Sequence, residues 1–386
     1  MRILDRYVLR NFLEPFLLCF FGLIAIWLVY DLYDNGPDFV EYHVPLKTIG
    51  RFYLSQLPAI TLLSLPIALL LALLFSLSKM SRHNEIISML TAGRSLERLL
   101  VPLTMVGIVC TGVCFVLNST WAPHADAVKK RMLEEITRGE KRATEREAVE
   151  GHLFRDRMNN RTWFVRKLRP PRSRSAGVYS LEGVQVIQQD ANGVIQKKWY
   201  ANQKAVFDET AKTWTFYKGM IVEFNKEGDI TFTDNFPEGE RVIKDWTETP
   251  WRIASSQFDP QNLSIEELKI YLANNFDFPP PQLAPYRTNL FDRWAFPWSC
   301  LVVVFISAPL GIVYSRRGVL AGVAGSIFLF FGLILLRYLF LAFGKGSRLD
   351  PALAAWLPNV FFFVIGLILL YYRSTNRDLP KLAFWR

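Results

Sequence analysis

The stretch Phe52–Ser78, FYLSQLPAITLLSLPIALLLALLFSLS, decides how the chain is read, because it runs 27 residues without Asp, Glu, Lys or Arg. About 20 apolar residues in helix cross the ~30 Å hydrocarbon core of a bilayer, so this segment is long enough to span one. Four more charge-free runs accompany it: Leu99–Ala125, Ala295–Ser315, Gly318–Leu336 and Pro351–Tyr372. A sixth, Phe12–Tyr30, carries only Glu14. Six such runs in 386 residues exclude a string of ordinary water-soluble domains. The first run does not read as a cleaved signal peptide. A charged amphipathic segment precedes it, and Asp31-Leu32-Tyr33-Asp34 follows where cleavage would need small residues.

Orientation follows from the short loops. With the N-terminus inside, the cytoplasmic segments hold Arg2, Arg6, Arg10, Lys79, Arg82, Arg94, Arg98, Arg316, Arg317, Arg373, Arg377, Lys381 and Arg386. The two short outer loops hold only Lys47, Arg51, Lys345 and Arg348. This positive-inside bias predicts both termini in the cytoplasm. The formal charge of +10 therefore reads as topology. Residues 126–294 balance 27 basic against 25 acidic side chains, so no nucleic-acid partner is expected.

The spans group three and three around a polar insert. Its first part, from Asp126 through Arg142, has helix-forming composition. Beyond it, Val178–Gln189, Val194–Asp208, Thr213–Phe224 and Ile230–Phe236 are rich in β-branched and aromatic residues, with Asn, Asp and Gly turns between them. That spacing predicts an antiparallel meander, sandwich or open barrel, and the alternation Trp214/Phe216 and Ile230/Phe232 predicts one buried face. Ser264 and Glu267 form a capping box that restarts a helix. Pro279-Pro280-Pro281 is expected to end that region before the fourth span. The fold class is an α-helical polytopic membrane protein, six transmembrane helices in a 3 + 3 arrangement, with an inserted all-β domain outside the cytoplasm.

Catalytic chemistry is not apparent. No phosphate loop, H-E-x-x-H or paired Cys-x-x-Cys occurs, and the histidines, His43, His83, His124 and His152, are scattered. Cys110 and Cys114 share a helix face inside a span, without a nearby His or carboxylate, and read as small apolar filler rather than a metal pair. The expected catalytic and metal residues are therefore none, and the chain is expected to bind no cofactor of its own. Its cytoplasmic segment Ser78–Gly93 places Ile86, Met89 and Leu90 on one helical face beside Arg82 and Glu85, with Gly93 as a stop. Such a helix either docks into a groove on a cytoplasmic partner or lies flat on lipid. Arg337 interrupts the fifth span near its outer end and reads either as snorkelling to the interface or as a gate or cavity residue.

A set of ordered motifs resembles the LptF/LptG family, permease subunits of the ABC transporter that extracts lipopolysaccharide from the Gram-negative inner membrane. They are Leu4-Asp5-Arg6-Tyr7, Leu57-Pro58 with Leu65-Pro66-Ile67-Ala68-Leu69-Leu70, Asn84-Glu85-Ile86 through Met89 to Ala92-Gly93, Trp121-Ala122-Pro123, Ala201 and Ala205 with Trp214, and Ala355-Trp356-Leu357-Pro358-Asn359. The resemblance implies a periplasmic β-jellyroll over about residues 145–256. It also implies a coupling helix at about 81–92, in which Glu85, with Arg82, Met89 and Gly93, meets the ATPase. The expected division is a membrane half over 1–125, a helical extension over 126–144, the jellyroll, a connecting helix and linker over 257–294, and a second membrane half over 295–386.

The implied partners are a cytoplasmic ABC ATPase dimer that holds ATP and Mg, a second permease subunit of the family, a periplasmic jellyroll bridge protein, the membrane and lipopolysaccharide. Lys130 matches a basic family position near the lipid cavity, and Lys129, Arg337, Lys47 and Arg51 are assigned to the cavity or gate with it. Asp31, Asp34 and Asp38 depart from the lysines some members carry there. Trp214, Phe216 and Phe232 are assigned to the jellyroll lining, with an ordinary packed core as the other reading. The alternative function is a membrane-anchored structural or sensory protein with a periplasmic binding domain. An extracytoplasmic enzyme lacks a nucleophile–base or metal constellation in the sequence.

Overall fold

The computed structural model describes residues 3–93, 95–138, 149–168, 178–255, 259–312 and 318–375. Of the side chains used for orientation, Arg2, Arg94, Arg316, Arg317, Arg377, Lys381 and Arg386 lie outside these residues, as does the expected helical extension beyond Arg138. The chain divides into a membrane unit (residues 1–132, 260–269 and 280–386) and a β unit (residues 133–259 and 270–279).

In the membrane unit, α1 (Ile3–Glu41) and α2 (Leu46–Arg82) form the first two spans, and the short α3 (Glu85–Thr91) follows. The third span is α4 (Leu96–Val116), a π turn over Leu117–Trp121, and the part of α5 (Ala122–Arg138) up to Lys130. All six expected spans are present as helices long and apolar enough to cross a membrane. They differ in what they bury. In α2 and the fourth span, 72% of the apolar window is buried within the protein, against 11% in α1. Rings and branched chains such as Leu18, Phe21, Phe328 and Leu335 remain exposed, as expected where the solvent is itself hydrocarbon. The outer helices therefore present apolar surface outward, and α2 with the fourth span forms the centre.

The fourth span starts earlier than expected. The proline run ends the preceding region as expected, and Pro280 also opens helix α8 (Pro280–Ala295), because a proline costs no hydrogen bond in the first turn. The helix tightens at Phe296-Pro297-Trp298 and resumes as α9 (Ser299–Gly311). Helices α10 (Gly318–Lys345) and α11 (Pro351–Ser374) complete the set, with Asp350 capping α11 through the backbone N–H groups of Ala352 and Leu353. Close packing is built on glycine. A Cβ on Gly366 would sit 2.9 Å from the Phe305 backbone carbon, so α11 meets α9 only because that atom is missing. Two turns further on, near the C-terminus of α11, Nε of Arg373 donates to the Ile312 carbonyl at 2.7 Å.

The β unit is one antiparallel sheet in sequential order: β1 (Val149–Asp156), β2 (Arg161–Leu168), β3 (Val178–Gln189), β4 (Ile195–Asp208), β5 (Thr213–Phe224) and β6 (Ile230–Ile243). Two strands precede the four read from sequence, and β6 runs to Ile243 rather than Phe236. The sheet is not flat. Trp163 on β2 and Trp214 on β5 lie 5.0 Å apart, yet three inter-strand steps of about 4.8 Å would separate them by about 14 Å in a flat sheet. The sheet curls until β2 and β5 pack face to face, and Ile253 of the short helix α6 (Pro250–Ser255) fills the interior with them. Helix α7 (Ile265–Asn274) follows, with the expected capping box: Ser264 N–H donates to the Glu267 carboxylate at 2.9 Å.

Candidate functional site

At the end of α2, Asn84 adopts a left-handed backbone (φ 58°) and turns the chain into α3, and Gly93 (φ 83°) stops the segment that follows. The helix runs from Glu85 to Thr91, shorter than the expected 81–92. Ile86 is buried and Met89 and Leu90 pack partly against the membrane core, so the apolar side of α3 is taken up by the protein itself rather than lying on lipid. Of the four residues assigned to coupling, Met89 thus serves mainly as an anchor. Arg82 and Gly93 are exposed, and Glu85 is partly exposed, with its carboxylate accepting a 3.0 Å hydrogen bond from the Tyr7 hydroxyl of α1.

A second polar centre lies among α2, the third span, α8 and α10. Arg337 makes a bidentate pair with Asp292, its Nη2 reaching both carboxylate oxygens at 2.9 and 2.8 Å, and its guanidinium stacks 4.3 Å from the Phe296 ring. Arg293 beside it donates to Asn118 Oδ1 at 2.7 Å and to the Gln261 carbonyl, while Asn118 Nδ2 donates back to the Arg293 carbonyl at 2.9 Å. Asn118 sits in the π turn, a distortion that re-aims side chains. These groups, with Lys345, line a cavity of about 300 Å³. Arg337 therefore stands in a cavity wall, with its charge paired to Asp292. Asp292, Arg293 and Asn118 were missed in the sequence; an Asp-Arg pair entering a span was the available signal.

At the far end of α1, Lys129 of α5 pairs with Asp31 at 2.5 Å, and Asp31 is almost fully buried. The ammonium also lies 5.8 Å from the Trp27 ring centroid. The departure noted at Asp31 is thus matched by a cation on another helix. Lys130, Lys47 and Arg51 are exposed on α5 and α2 and do not join this pair. Cys114 and Cys300 lie buried with sulfurs 3.5 Å apart, and among the described residues no group of three metal-ligating side chains forms.

In the β unit, Trp214 and Phe216 are fully buried in the sheet interior. Phe232 shares their interior face only by register, through Asp234 to Phe236, and is 56% exposed where the edge strand runs beyond the packed interior. Packing against α6 brings five charges together: Arg161 lies 3.1 Å from Glu248, and Arg252 reaches Asp156 at 3.5 Å and Asp277 at 3.3 Å. Burial pushes the Glu248 carboxyl above its ordinary range, against the pull of Arg161. His152 Nε2 donates to the Ile253 carbonyl at 2.6 Å, and burial lowers its pKa.

Residues 6–372 match the family profile described as lipopolysaccharide export system permease LptF/LptG. The chain is similar to lipopolysaccharide export system permease protein LptG of Escherichia coli K12, 22% identical over 96% of this chain and 99% of that protein. It is also similar to the LptF protein of the same strain, 21% identical over 95% and 94%. Two kinds of relative match with nearly equal identity, over a length that includes all six spans and the whole β unit. The chain belongs to the LptF/LptG family of lipopolysaccharide export permeases.

Proposed function

We propose that this chain is one of two permease subunits of an ABC transporter in a Gram-negative inner membrane. It draws lipopolysaccharide from the membrane with energy from a separate cytoplasmic ATPase dimer, and its periplasmic β unit hands the lipid to a jellyroll bridge protein. The observation that carries this reading is α3: its apolar side is anchored in the membrane core, which leaves Glu85, Arg82 and Gly93 toward the side where the positive-inside bias puts the cytoplasm. A lever fixed at its base and polar at its face suits transmission of a partner's motion.

On the outer side, Arg337, Lys129, Lys130, Lys47 and Arg51 supply the cations that draw a phosphorylated head. The paired ones, Arg337 and Lys129, exchange a carboxylate for a phosphate. The β6 edge, with Ile230, Phe232 and Val242 exposed, offers a bridge protein a strand to extend, and Trp214 and Phe216 form the apolar interior behind it.

Purification in mild detergent followed by mass spectrometry tests the reading. It should recover a soluble ATPase, a second family member and bound lipopolysaccharide. Glu85→Ala should weaken ATPase association by about 1.5–3 kcal/mol, the worth of a hydrogen bond to a charged group. Cysteine placed at Asn192 should label from the periplasm, and at Asn84 only after permeabilisation. Recovery of neither ATPase nor lipopolysaccharide removes the proposal.

A further inference from the structure

Within the β unit, a cavity of about 1120 Å³ opens beside the β4–β5 turn. Two indoles, Trp246 and Trp251, form part of its wall, and Lys212, Lys244, Glu209 and Asp245 stand around it with three threonines. Trp246 is held rigidly from behind, its ring edge-on to Trp163, Trp199 and Phe216 at 5.2, 5.1 and 5.9 Å, with Arg161 4.7 Å from its centroid. Trp251 is only half-buried, and among the described residues no aromatic ring stacks on it.

We propose that this cavity is a saccharide-binding site. A pyranose has an apolar C–H face and a rim of hydroxyls. The C–H face suits an indole, whose π face is apolar and electron-rich. The hydroxyls suit a rim that mixes donors (Lys212, Lys244), acceptors (Glu209, Asp245) and threonines that do both. A fatty acyl chain would desolvate four charged groups without pairing them. A nucleic acid would meet two carboxylates. A peptide strand cannot add at β4 or β5, interior strands whose backbone groups already pair. The cavity would hold the sugar of the exported glycolipid while the apolar interior takes its chains. In this the inference rests on the lipopolysaccharide reading.

The test uses the full-length protein in nanodiscs. It is titrated with lipid-free oligosaccharide released from lipopolysaccharide by mild acid, with calorimetry and saturation-transfer NMR as readouts. The expected result is saturable binding with transfer to sugar C–H protons, weakened at least about tenfold by Trp251→Ala and several-fold by Lys244→Gln. Trp251→Phe should retain most of it, and unchanged melting of Lys244→Gln and Trp251→Phe shows that the fold is intact. Absent oligosaccharide binding, or binding untouched by Trp251→Ala and Lys244→Gln, overturns the site. Loss of a co-purifying periplasmic protein in these variants, with no oligosaccharide bound, makes the cavity a protein-docking surface and also overturns it. If intact lipopolysaccharide binds while the oligosaccharide does not, the permease reading stands and this inference falls. If lipopolysaccharide fails to bind at all, it is the permease reading that falls.

Discussion

The membrane unit matches buried charges pairwise, Asp31 with Lys129 and Asp292 with Arg337, and holds the neighbouring Arg293 on Asn118 and the Gln261 carbonyl, whereas the β unit gathers Asp156, Arg161, Glu248, Arg252 and Asp277 into one cluster. The difference follows from the surrounding solvent. Hydrocarbon offers an orphaned charge no relief, so each ion needs a close counter-ion or, as at Arg293, amide and carbonyl oxygens that accept its hydrogen bonds. Beside the curled sheet, several carboxylates share two guanidiniums, and the loss of one contact is partly absorbed by the others. The pairs join helices, α1 to α5 and α8 to α10, while the cluster fastens α6 across the end of the sheet.

The largest expected effect tests the Asp292–Arg337 pair. Asp292→Ala strands Arg337 in a wall where only 15% of its side chain is exposed, and should cost about 3–5 kcal/mol. The double variant with Arg337→Met should recover most of that loss. Thermal unfolding in detergent measures both, and a double variant no more stable than the single one would contradict the pairing. In the cluster, Arg252→Ala should cost less, about 1–3 kcal/mol, because Arg161 remains to balance the carboxylates. A loss equal to that of Asp292→Ala would erase the contrast between the units.

The cluster also predicts a pH dependence. The folded pKa of Glu248 is raised above its ordinary 4.5, so the folded state holds the proton more tightly than the unfolded chain. Its contribution is full below about pH 4.5 and is lost as pH rises through the raised value, with a slope of at most about 1.4 kcal/mol per pH unit. Melting of the β unit across that window should slope downward in the wild type and flatten in Glu248→Gln. The smallest effect is expected at Glu85. Its carboxylate is partly exposed, and Glu85→Ala should change stability by under about 0.5 kcal/mol. A loss of several kcal/mol would make Glu85 a structural group and contradict the contrast with Asp292.

Much of the fold was legible. Hydropathy located all six spans, and turn residues placed β3 to β5 within a residue of their ends. The first hairpin escaped because β1 and β2 carry many charges. Its signal was the alternation His152/Phe154 and Trp163/Val165 around Asn159-Asn160, where Asn160 takes a positive φ of 49°. The site was less legible. Glu85 and the anchoring face of α3 are local features of one short helix and could be read directly. Phe232 could not be separated from Trp214 and Phe216, because alternation assigns a face and does not say where along a strand packing ends.

What the sequence by itself determined is the set of spans, their 3 + 3 grouping around a β insert, and the family. These depend on properties summed over neighbouring residues, and a bilayer rewards such sums directly. Tertiary structure alone decided which charges meet. Asp31 finds Lys129 across 98 positions, and Arg337 finds Asp292 across 45. No local pattern encodes those pairs, because each exists only once two helices pack at a particular rotation and depth, and burial then makes the partner obligatory.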